Sequence, residues 1–172
     1  EVTEAVSDFL ESLSCPVVID PVMVAKSGDR LLHADAISAL REVLIPKATI
    51  ITPNLPEASD LLAVSEATDR DHMEAQAQAL LALGPRAVLL KGGHLSTEES
   101  PDLLMSGDQT QWFETVRVST TNTHGTGCTL SSALASYLGQ GYPVEAAVAK
   151  AKEYISGAIA TADQLTVGEG HG

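Results

Sequence analysis

The sequence predicts an α/β domain: a mainly parallel sheet covered by helices on both faces. Two observations carry this expectation. Short apolar runs bounded by Gly and Pro alternate with segments of helical periodicity, as in a parallel sheet whose crossovers are helices. The 172 residues are 44% hydrophobic, which suits one core, so a single domain over 1–172 is expected.

The elements follow in order. Val2 to Leu13 reads as an amphipathic helix running into a strand over Pro16 to Asp20. A polar loop leads to a helix over Ala34 to Leu44 and a strand over Ala48 to Ile51. Helices are expected over Leu55 to Ala63 and Asp69 to Leu83, then a strand over Ala87 to Leu90. Asp102 to Ser119 reads as a hairpin turning at Ser106-Gly107-Asp108, with Val116 to Ser119 alternating as a strand and Thr120 to Thr123 as a polar crossing. Leu130, Leu134, Tyr137 and Leu138 recur at helical spacing, and two final helices are separated at Gly139 to Pro143. The chain begins at Glu1 with a helix that no strand precedes, which suggests an open beginning.

Charge narrows the partners. Twenty-three acidic against 10 basic residues give a net charge of −13, and no Lys/Arg cluster forms a basic stripe, so neither nucleic acid nor an anionic membrane is expected. An anionic substrate must then be held by local amides, a metal or a single placed lysine. Cys15 and Cys128 show no pairing or metal spacing, and no signal peptide or membrane span is evident, so a cytoplasmic, reducing location is expected. Cys15, in apolar surroundings before a strand, reads as structural.

The most telling segment is His124-Gly125-Thr126-Gly127-Cys128, a strand-to-helix turn opening a long Ala/Leu/Ser helix. Two glycines let backbone N–H groups point toward one spot, where the helix adds unpaired amides and its positive dipole end. A phosphate fits there, although glycine before a helix also serves as a plain turn. In open sheets ligands sit beyond the carboxyl ends of strands. Those ends carry Asp20, then Asn54 and Glu57, then Lys91. Each has a purely local alternative. Asp20 before Pro21 can begin a turn, Asn54 and Glu57 can form a capping box, and Lys91 before Gly92-Gly93 can be an exposed strand end. Together, two carboxylates and an amide oxygen supply the hard oxygens that Mg²⁺ takes directly or through its waters, and Lys91 supplies a point charge for a nucleotide phosphate.

Four stretches resemble one family in order and over essentially the whole chain. They are Asp20-Pro21-Val22-Met23-Val24-Ala25-Lys26-Ser27-Gly28-Asp29, Thr52-Pro53-Asn54-Leu55-Pro56-Glu57-Ala58, Lys91-Gly92-Gly93-His94, and Asn122 through Ser131. They look like the bacterial hydroxymethylpyrimidine/phosphomethylpyrimidine kinases of thiamin synthesis, in the ribokinase superfamily. The resemblance implies a ribokinase-like fold with ATP and Mg²⁺ as cofactors. The Gly125, Thr126, Gly127 and Cys128 turn matches the family's anion hole, and Asn54 and Glu57 match its magnesium-associated Asn-x-x-Glu motif. Lys91 matches a lysine near the nucleotide phosphates, Asp20 an acidic residue near metal and phosphates, and Met23 to Asp29, with Met23, Val24 and Lys26, a mobile segment over the substrate. The implied reaction moves the ATP γ-phosphate to the hydroxymethyl group of 4-amino-5-hydroxymethyl-2-methylpyrimidine and then adds a second phosphate. Relatives begin with further elements ahead of the helix at which this chain starts, so the N-terminal part of the fold is expected to be missing here and the complete protein is expected to be a homodimer.

Cys128 stands where the wider superfamily generally has Asp acting on the substrate hydroxyl. A helix N-terminus stabilises a thiolate by roughly 0.3–2 kcal/mol, whereas a phosphate charge about 4 Å away opposes it by about 4 kcal/mol at an effective dielectric near 20. Repulsion wins unless metal and Lys91 neutralise the phosphates, so the resemblance implies a base or proton relay contingent on metal. The alternative is a small buried residue at a helix start.

Other functions fit less of the sequence. His124 and Cys128 outline a thiol acyl-transfer enzyme, but they are four residues apart without an orienting third group, and Asn54, Glu57 and Lys91 are left without roles. An inactive nucleotide-binding module is a further class. The nearest kinase competitor is pyridoxal kinase, against which Ala25, at a place where some dual-specificity relatives carry a cysteine, favours the pyrimidine.

Overall fold

The strands expected over Pro16 to Asp20, Ala48 to Ile51 and Ala87 to Leu90 form, each within the apolar run that marked it. The computed structural model describes residues 2–23, 33–93, 95, 100–114 and 124–162. The Val116 to Ser119 strand, the Thr120 to Thr123 crossing, Val24, Lys26 and His94 lie outside them.

In chain order the elements are α1 (Val2–Glu11), β1 (Val18–Ile19), α2 (Ala34–Ala39), β2 (Ile50–Ile51), α3 (Leu55–Leu62), α4 (Arg70–Leu81), β3 (Ala87–Lys91), β4 (Asp102–Ser106), β5 (Gln109–Phe113), α5 (Thr126–Gly139) and α6 (Val144–Thr161). The strands form one sheet in the order β1-β2-β3-β4-β5. β1, β2 and β3 pair in parallel, with Ile19 opposite Ile51 and Ile51 opposite Val88. β4 pairs antiparallel to β3 and β5 antiparallel to β4, so four of the five strands point the same way. The hairpin turns at Gly107-Asp108, as its sequence signals.

Strand alternation divides the core between two faces. Ile51, Val88, Leu90 and Leu103 pack with Leu55, Leu61, Met73 and Leu80 of α3 and α4. Their neighbours Ile50, Leu89 and Leu104 turn the other way, onto Leu130, Leu134, Val148 and Ile155 of α5 and α6. Helices therefore cover both faces, as expected.

Two local readings change, and α1 forms as expected with apolar residues uncovered. The helix expected over Ala34 to Leu44 is α-helical only to Ala39, then continues as a π turn at Leu40–Leu44 and a 3₁₀ turn at Ile45–Lys47. Pro46 has no amide hydrogen to close an α-type bond, so the ladder widens and then tightens. On α1, Val2, Val6 and Phe9 are exposed and the buried residue is Ser7. Lys47 reaches this helix, donating to the Ser7 carbonyl at 3.2 Å and pairing with Glu11. Cys15 is exposed rather than packed, because it lies in the connection from α1 to β1 and not within either element.

Candidate active site

The carboxyl ends of β1, β2 and β3 meet the N-terminus of α5. Asp20 follows β1, Thr52 follows β2, and Lys91 closes β3. Lys91 Nζ donates to Asp20 Oδ1 at 3.1 Å, and Thr52 Oγ1 donates to the same oxygen at 3.0 Å. Ser131 Oγ, one turn into α5, donates to Asp20 Oδ2 at 3.4 Å. The Asp20 and Lys91 side chains are 13% and 15% exposed, so their attraction is screened less than that of a surface pair.

Gly125 is the N-cap of α5 at φ 76°, in the left-handed region that glycine adopts at least cost, and having no side chain it makes no side-chain cap. The first-turn amides of a helix have no acceptor within the helix, which is what draws anions to such ends. Gly127 lies directly over the ion pair. A Cβ built there would stand 3.3 Å from Lys91 Nζ and 4.0 Å from Asp20 Oδ2. Glycine thus brings the α5 backbone close to the Lys91 ammonium. Cys128 is exposed, which removes the buried-residue reading.

Asn54 and Glu57 form the capping box. Asn54 Oδ1 accepts from the Glu57 amide at 2.8 Å, and Glu57 Oε2 accepts from the Asn54 amide at 2.8 Å. The Lys91 amide donates to the Pro53 carbonyl at 2.9 Å, holding this helix start against the end of β3. Burial pushes the Glu57 carboxyl above its usual range, opposed by the Asn54 hydrogen bond and the Lys91 charge, while Asp20 adds to the rise.

The donor chemistry suits a magnesium ion held through water. Among the described residues no three His, Cys, Asp or Glu side chains cluster to cage a metal. Mg²⁺ usually keeps several waters and takes one or two carboxylates together with substrate phosphates. Asp20 and Glu57 lie within electrostatic reach of each other, and Glu57 Oε1 is outside the capping box.

The structure therefore brings together Asp20, Asn54, Glu57, Lys91 and the Gly125 to Cys128 turn. Met23 is buried in the core beside α2 to α4, so it packs the start of the segment expected over the substrate. Sequence reasoning missed the roles of Thr52 and Ser131. Ser131 follows Gly127 by four residues, the spacing that shares one helix face, which was the available signal.

A mainly parallel sheet covered by helices on both faces, with a lysine and a carboxylate at the strand ends beneath a helix N-terminus, places the chain in the ribokinase-like fold class. Two solved structures share it. The ADP complex of Bacillus subtilis pyridoxal kinase superimposes with a TM-score of 0.84 at 39% identity, over 91% of this chain and 60% of that one. Clostridium difficile phosphomethylpyrimidine kinase gives a TM-score of 0.78 at 38% identity, over 92% and 64%. The chain belongs to the phosphomethylpyrimidine kinase family, whose profile matches residues 1–172. A hydroxymethylpyrimidine/phosphomethylpyrimidine kinase of Salmonella typhimurium is 49% identical over 173 aligned residues. The chain spans 65% of the length of that curated relative.

Proposed function

We propose that the full-length protein phosphorylates 4-amino-5-hydroxymethyl-2-methylpyrimidine from ATP and then phosphorylates the monophosphate. The observation carrying this reading is the convergence of Lys91 Nζ and Asp20 beneath Gly127 at the start of α5. Lys91 neutralises phosphate oxygen charge as it develops, and α5 amides donate to the same oxygens. The Asp20 carboxylate, held by the Thr52 and Ser131 hydroxyls, keeps the ammonium aimed under the turn. Cys128 Sγ takes the proton of the attacking hydroxymethyl group, a role supported by its exposure at the helix start. Asp20 and Glu57, with Asn54 behind them, would hold Mg²⁺ through water; the ion supplies charge neutralisation and alignment of the phosphates. We assign the cover over the acceptor to the segment that follows Met23, with Val24 and Lys26.

Pyridoxal is the second acceptor, favoured by the 0.84 superposition on pyridoxal kinase. The pyrimidine ranks first on the family match along the whole chain. We place the protein in the cytoplasm as a homodimer; no described helix is long and apolar enough to cross a membrane. The test is kcat/KM of the full-length protein for the pyrimidine alcohol and for pyridoxal under saturating Mg-ATP. A pyrimidine preference is expected; a pyridoxal preference overturns the substrate, and transfer to neither overturns the kinase reading.

A further inference from the structure

A buried ion pair outside the site braces the lysine end of β3. Lys152, on the sheet-facing side of α6, places Nζ 2.6 Å from Asp102 Oδ2, and the two side chains are 13% and 6% exposed. Asp102 opens β4 directly opposite Lys91 in the antiparallel ladder. Its other oxygen, Oδ1, accepts the Gly92 amide at 2.9 Å. One carboxylate thus joins α6 to the residue that follows Lys91.

The residue it grips lies close against the residue before β4. A Cβ on Gly92 would lie 2.0 Å from the Pro101 carbonyl oxygen and 3.2 Å from Met73 Cε, so backbone presses on backbone at that point. On its other side, Lys91 donates its amide to Pro53. Lys91 is therefore held laterally by the strand leading into α3 and at its end by Asp102. The helix carrying Lys152 also shares a core with α5, through Leu130 and Leu134 against Val148 and Ile155. The Lys152–Asp102–Gly92 connection consequently runs from the α5/α6 layer to the Lys91 end of β3, the two parts whose separation sets the phosphate site.

We propose that Asp102 and Lys152 are positioning residues for phosphoryl transfer, acting through Lys91 by fixing where its strand end stands relative to the α5 N-terminus. The proposal rests on the kinase reading above. A buried pair is weak support for stability, because desolvation offsets most of its attraction, so the pair requires a different account than stability. Misplacing a catalytic group by about 1 Å can cost about a hundredfold in rate.

The test measures kcat, KM for Mg-ATP and melting temperature in the full-length protein for Asp102→Asn, Lys152→Met and the two combined, each with and without Lys91→Met. Asparagine keeps an acceptor for the Gly92 amide while removing the ion pair, and the combined variant leaves no unpaired buried charge. The expected result is a fall in kcat of about tenfold to a hundredfold with a smaller change in KM. In the Lys91→Met background the same changes should alter kcat less than about twofold, since the group they position is gone. Losses that multiply fully in that background, native kcat in the folded combined variant, or failure of the combined variant to fold would each overturn the proposal. An unaltered protein without kinase activity overturns the underlying reading, and the proposal with it; an active protein with indifferent variants overturns the proposal alone.

Discussion

Lys91 Nζ and Asp20 Oδ1 lie 3.1 Å apart at the ends of parallel strands β3 and β1, under the first turn of α5. The pair joins residues 71 positions apart in the chain. Its cation lies under a helix end of the kind that attracts anions, and under the proposed function a nucleotide phosphate joins Asp20 as its second partner.

Replacing Lys91 with methionine tests that arrangement. Asp20 keeps the Thr52 and Ser131 hydroxyls, so the fold should survive with a loss of about 2 kcal/mol in unfolding free energy. Turnover should fall by about 10²–10³, the effect of removing one donor from a charge-stabilising site. Steady-state kinetics with chemical denaturation checks both, and an active Lys91→Met variant contradicts the assignment.

Gly127→Ala separates stability from function in the opposite sense. The added methyl meets the flexible end of Lys91 at 3.3 Å, and alanine is favoured over glycine in a helix by about 0.5–1 kcal/mol. Melting temperature should hold or rise. If the proposed phosphate position is correct, the methyl enters it and KM for Mg-ATP should rise at least about tenfold, a loss of about 1.4 kcal/mol in binding. A calorimetric binding isotherm unchanged from the native protein would place the phosphates elsewhere.

The elements legible in the sequence were those written in local chemistry. Pro21, Pro53 and Gly92 end apolar runs, so the strand ends and their Asp20, Asn54 and Lys91 residues could be read directly. Gly107-Asp108 announced the hairpin, and Asn54 with Glu57 announced a capping box that the structure contains. What local pattern does not encode is partnership across the chain. Thr52 and Ser131 meet Asp20 over separations of 32 and 111 residues, and Lys152 meets Asp102 over 50. The π turn after Ala39 also escaped, because the apolar spacing continues through it while Pro46 alone alters the hydrogen bonding.

Glu57→Gln has a pH signature. Burial raises the Glu57 carboxyl above its usual 4.5 in the folded protein. Between 4.5 and that higher value the folded state holds a proton that the unfolded state has released, so stability falls as pH rises through this window. Glutamine has no such proton and can still accept the Asn54 amide. Denaturant unfolding in metal-free buffer should show the variant gaining on the native protein as pH rises above 4.5, then levelling. Parallel profiles would mean that Glu57 is not buried as described. In activity assays the same variant should need more magnesium, whereas a capping role alone leaves the magnesium midpoint unchanged.

Gly125→Ala should destabilise by about 1–2 kcal/mol, the cost of holding a non-glycine residue at φ 76°. Among the described residues nothing lies within 4 Å of its added Cβ, so the loss reports backbone conformation and not a clash with them. An unfolding free energy equal to the native value would show that the turn before α5 relaxes freely.

The central claim is that phosphoryl transfer takes place at the α5 N-terminus with Cys128 receiving the acceptor proton. Its most direct measurement is turnover of the pyrimidine alcohol by full-length Cys128→Ala, alongside the dissociation constant for Mg-ATP by calorimetry. Turnover should fall by about 10²–10⁴, or roughly 3–5 kcal/mol, while nucleotide affinity stays within about twofold of native. Near-native turnover in the alanine variant would contradict the account.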